Sequence, residues 1–88
     1  MPKLVDIVIT DFLILMQSFS SRHDDAYADE LESYLSQLFS ASDVSVDQLI
    51  RVKEGMELHL KDEVSENQLN DLKTWIFIAE EYINKASK

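Results

Sequence analysis

The 88-residue chain carries 17 acidic against 8 basic side chains, a formal charge of -9, and no cysteine. That charge excludes sequence-independent binding to nucleic acid or to an anionic membrane, both of which repel it. The lack of cysteine removes disulfides, thiolate chemistry and the usual cysteine-rich zinc sites. The length allows one modest core, so a single helical domain over 1–88, held by packing alone, is expected.

A single Gly, a single Pro and the lack of sustained alternation point to helices with short connections, a small all-α four-helix bundle. The first helix is expected over 3–19. Val5, Ile7, Val8 and Ile9 would suit a strand equally well, but no breaker interrupts the pattern before Met16 and Phe19, which decides for a helix. The stretch from Leu4 to Met16 is broken by Asp6, Thr10 and Asp11 and falls short of the roughly 20 residues a bilayer needs. No small-residue cleavage site follows before Arg22, so it does not read as a signal peptide. A soluble, cytoplasmic protein is the expectation. Apolar around most of its circumference, this helix should be the most buried of the four.

The second helix, over 24–40, gathers Tyr27, Leu31, Tyr34, Leu35 and Leu38 on one side and sets Asp25, Asp29 and Glu32 opposite, an amphipathic pattern of helical period. The third, 46–63, and the fourth, 66–85, open on matching phrases, Ser45-Val-Asp-Gln48-Leu49 and Ser65-Glu-Asn-Gln68-Leu69. Each reads as a capping box, in which the serine hydroxyl takes the amide three residues on and the glutamine reaches back. The third helix should bury Leu49, Val52, Met56 and Leu60, and the fourth Leu69, Leu72, Trp75, Ile76, Ala79 and Ile83. The short joint at Val64 and Ser65 suggests that these two form an antiparallel hairpin.

Chemistry is thinly represented. The two imidazoles are His23 and His59. His23 precedes Asp24 and Asp25, acids suited to the positive end of a helix dipole. His59 stands one turn before Asp62 and Glu63, a spacing that would hold a divalent ion weakly at best. No glycine-rich loop is present to cradle a phosphate, and carboxylates on a solvent face have ordinary acidity. No catalytic residue, metal or cofactor is therefore expected. The ending Ala79-Glu-Glu-Tyr-Ile-Asn84 resembles that of acyl carrier proteins. In that family the prosthetic arm is carried by the serine of an Asp-Ser-Leu triplet, whereas Ser45 lies in Val44-Ser45-Val46, so the resemblance brings no carrier site.

What remains is surface. Leu58, Phe77 and Ile78 fall off the inward stripes, and with Trp75 and Tyr82 they form the candidate apolar interface, for a second copy or a different protein. Seven acids and no Lys or Arg occupy the run from Asp24 to Asp47. Like charges repel along a helix, so an uncompensated stripe suits a basic protein surface. The expected contacts are Asp24, Asp25, Tyr27, Asp29 and Glu32, and the expected role is an inhibitor or neutraliser of the immunity-protein, antitoxin or phage counter-defence type. The alternative is a self-associating structural or adaptor protein that uses the apolar faces of the first and fourth helices.

Overall fold

The computed structural model describes residues 4–22 and 24–86, which form four helices: α1 (Leu4–Met16), α2 (Asp25–Ser40), α3 (Val46–Glu57) and α4 (Glu66–Ala86). No strand occurs among the described residues, so the chain is all-α, as its periodicity predicts. The helices pair as two compact units that divide after Val44, α1 with α2 and α3 with α4.

In the first unit α1 buries Val5, Val8, Ile9, Phe12 and Met16, a stripe at three- and four-residue spacing. α2 answers with Tyr27, Leu31, Leu35 and Leu38, while Tyr34 is only half-buried. Each fully buried aliphatic or aromatic side chain contributes about 1.5–3 kcal/mol. The two helices run antiparallel. Tyr27 at the start of α2 bonds Leu15 at the end of α1, and at the opposite ends Leu4, Val5 and Val8 share a groove with Gln37, Ser40 and Ala41.

As expected, α1 buries a larger share of its length than any other helix, five of its 13 residues. It is not covered all round, however: Leu4 is 75% exposed and Ile14 59%, with Ile7 also exposed. Within its unit α1 packs on a single helix, and one neighbour covers one stripe. The helix also stops at Met16 rather than Phe19, and Lys3 lies outside the described residues. Beyond Met16 the bonding tightens to three-residue steps, with Gln17, Ser18 and Phe19 donating to the carbonyls of Ile14, Leu15 and Met16. Ser21 adds a side-chain bond to the Ser18 carbonyl at 3.1 Å, the local competition by which serines end helices. Phe19 remains in the core even so.

In the second unit α3 buries Leu49, Val52 and Met56, and α4 buries Leu72, Trp75, Ile76 and Ala79, with Leu69 and Ile83 half-buried. Both starts carry the expected capping box. The Ser45 amide donates to Gln48 Oε1 at 2.8 Å and the Gln48 amide to Ser45 Oγ at 3.2 Å. Ser65 and Gln68 repeat the exchange at 3.2 Å in each direction.

α3 is shorter than predicted, ending at Glu57 rather than Glu63. His59, Leu60 and Asp62 donate to the carbonyls of Met56, Glu57 and His59, a three-residue step that turns side chains off the α-helical stripe. Leu60, expected in the core, is consequently 39% exposed.

Candidate binding faces

The start of α2 is organised by Arg22 and Tyr27. The Tyr27 ring is 2% exposed, and its hydroxyl donates to the Leu15 carbonyl at 2.6 Å. The Leu15 carbonyl also accepts from the Ser18 amide, so the phenol adds a second bond to the end of α1, which has no basic residue in its final turn. The Arg22 guanidinium lies 4.6 Å from the centre of the ring and pairs with Asp24 at 3.5 Å. Burial pushes the Tyr27 phenol up to about 12 from its ordinary value of 10.0; the nearby Arg22 charge opposes that rise and Glu30 adds to it.

Tyr27 is thus a core residue and a lock between α1 and α2, not an accessible contact. Asp24 caps α2 in extended backbone without a side-chain bond to the helix, because its carboxylate is turned to Arg22. His23 lies outside the described residues.

The remaining predicted contacts do share a face. Asp25, Asp29 and Glu32 are exposed and lie on the side of α2 away from Leu31 and Leu38, with Ser33 and Ser36 beside them. None of the three acids makes an ion pair with a described residue. An α-helix fixes their Cα spacing at about 1.5 Å of rise per residue, so the carboxylates form a row whose repulsion no ion pair among the described residues offsets.

The second unit treats charge differently. Lys53 on α3 bridges Glu57 at 3.8 Å and Glu80 on α4 at 3.5 Å. After α3, His59 Nδ1 lies 2.6 Å from Asp62 Oδ2, both side chains being about one-fifth exposed at 19% and 21%. This pair pins the turn that follows α3. Glu63 is exposed, and no group of three His, Asp or Glu able to hold a metal occurs among the described residues.

The predicted apolar interface separates into two kinds of residue. Leu58 and Phe77 are 69% and 60% exposed and Tyr82 is partly so, whereas Trp75 belongs to the core and Ile78 is half-buried. Trp75 is therefore not available as an anchor. Leu58 and Leu60 line a shallow hollow with Glu54, Glu57 and Lys61. A second groove, of ≈ 420 Å³, opens in the first unit between Leu4, Val8, Ala41 and Asp43. Neither holds an imidazole. Sequence reasoning missed Arg22, which pairs with Asp24 and lies over the Tyr27 ring, and Lys53, which bridges Glu57 on its own helix and Glu80 on α4, and it missed the exposed Leu4, Ile7 and Ile14. Their three- and seven-residue spacing was the available signal.

No helix among the described residues is long and apolar enough to cross a membrane. Comparison with family models, curated proteins and solved structures finds no match to this chain.

Proposed function

We propose that this chain is an acidic protein-binding module, an inhibitor or neutraliser that occludes a basic surface of a partner protein in the cytoplasm. The observation that carries the reading is the row of Asp25, Asp29 and Glu32 on the solvent face of α2, exposed and without an ion pair to any described residue. The row is rigid because the opposite side of α2 is anchored by Leu31, Leu35, Leu38 and the Tyr27 hydroxyl. A helical face presented in advance costs little ordering on binding. A one-signed face speeds encounter with an opposite surface, an effect that weakens as salt rises. Functions that need only such a face include the immunity-protein, antitoxin and phage counter-defence roles, in which a basic functional surface of the target, such as a nucleic-acid-binding face, is covered. The reading assigns no catalytic group.

Affinity capture from host lysate, eluted across a salt gradient and identified by mass spectrometry, tests it. One basic protein should elute with rising salt, and the D25K/D29K/E32K variant should not retain it. Equal retention and equal salt dependence by that variant would sink the electrostatic mechanism.

A further inference from the structure

The face of α4 turned away from its core is arranged symmetrically about Phe77. Leu72, Trp75, Ile76 and Ala79 are buried on one side; Asn70, Lys73, Phe77, Glu81 and Asn84 are all exposed on the other. At about 100° per residue these five fall within about 40° of a single line along the helix, with Phe77 on it. Counting outward from Phe77, Asn70 and Asn84 stand seven residues away on either side, Lys73 and Glu81 four, and Thr74 and Glu80 three. Phe77 is 60% exposed. Lys73 and Glu81 make no ion pair with any described residue.

We propose that this face pairs with the same face of a second copy, α4 against α4 in antiparallel fashion, around a two-fold axis beside Phe77. In that arrangement the two Phe77 rings meet at the centre. Lys73 lies about 6 Å along the helix before Phe77, and Glu80 and Glu81 about 5–6 Å after it. Reversing the partner helix brings each Lys73 level with Glu80 and Glu81 of the other copy, once on each side of the axis. Self-complementarity of this kind is what an isologous contact requires, and flanking Lys–Glu pairs set orientation in paired helices. Each Glu80 already holds Lys53 of its own chain at 3.5 Å, so the pairs would join into a network. A basic partner, suited to the face of α2, is disfavoured on α4 because Lys73 meets it with like charge. The face is about 21 Å long from Asn70 to Asn84, one helix wide, so it buries less than the roughly 1,200 Å² of a stable interface. The association is therefore weak and concentration-dependent.

Sedimentation equilibrium of the full chain at physiological salt, up to about 1 mM, reads it. The unmodified chain should show a monomer–dimer equilibrium. K73E, which turns both bridges repulsive, should weaken it on the order of tenfold, and K73E/E81K, which keeps the net charge and swaps the pairs, should restore it. K61E, with the same charge change off this face, should move it far less. Far-UV circular dichroism identifies any variant that has lost its helices. A chain monomeric throughout, or a double variant as weak as K73E, overturns the proposal. So does a foreign protein captured through Phe77 by a chain that stays monomeric. None of these outcomes bears on the face of α2, which the variants leave intact.

Discussion

In the first unit eight acids stand against two bases, and on α2 every formally charged side chain is acidic; in the second unit nine acids stand against six bases, and Lys53 ties two glutamates together. Their helix starts differ in the same sense. α3 and α4 begin with reciprocal capping boxes, whereas α2 begins at Asp24 with no side-chain cap and is held by the Arg22–Asp24 and Arg22–Tyr27 contacts. The comparison teaches that α3 and α4 are specified locally, each helix carrying its own start signal, while α2 depends on being packed. An element stabilised from its buried side is free to keep an unfavourable charge pattern on its exposed one.

The sharpest way to test that dependence is in the core. Phe12→Ala, at a position 1% exposed, should cost about 3–5 kcal/mol in denaturant unfolding. Ile14→Ala on the exposed side of the same helix should stay within about 0.5 kcal/mol. Equal losses would mean that α1 is covered on both sides.

The next effect is on pH. Tyr27 must stay protonated to donate to Leu15, and its folded value of about 12 lies above the ordinary 10.0. The folded state therefore holds the proton more tightly than the unfolded chain does. The stabilisation is complete below pH 10 and is lost as pH rises through 12, a fall on the order of 3 kcal/mol. Thermal unfolding between pH 9 and 12 should show this extra loss, and Tyr27→Phe should abolish it.

Caps come third. Ser45→Ala and Ser65→Ala should each cost about 1 kcal/mol, and Asp24→Ala less, since that carboxylate bonds no helix amide. A cap loss at Asp24 as large as at Ser45 would erase the distinction between the two kinds of start. Smallest are the surface charges. Lys53→Gln should destabilise by about 0.5–1 kcal/mol through loss of two partly exposed pairs. Asp29→Lys should raise stability by about 0.3 kcal/mol by relieving repulsion along α2. A destabilising Asp29→Lys would show that the acidic row has compensation within the fold.

The four helices, their order and most of their inward residues could be read from the chain, because a 3.6-residue apolar period is a local property. The capping boxes at Ser45 and Ser65 were legible for the same reason: both partners lie three residues apart. The acidic face was visible as composition. What the tertiary structure alone decided was which apolar and aromatic residues stay outside. Phe77 was legible as off-stripe, but Leu60 turns outward only because α3 tightens after Glu57, and Leu4, Ile7 and Ile14 are exposed because α1 has one helical neighbour in its unit. Tyr27 and Trp75 look alike in sequence as aromatic anchors, and both are core residues because an aromatic ring near a helix–helix seam gains more by burial than by solvation. The Tyr27–Leu15 bond and the Lys53–Glu80 bridge join residues far apart in the chain, a pairing that no local period encodes and that exists only once the helices have packed.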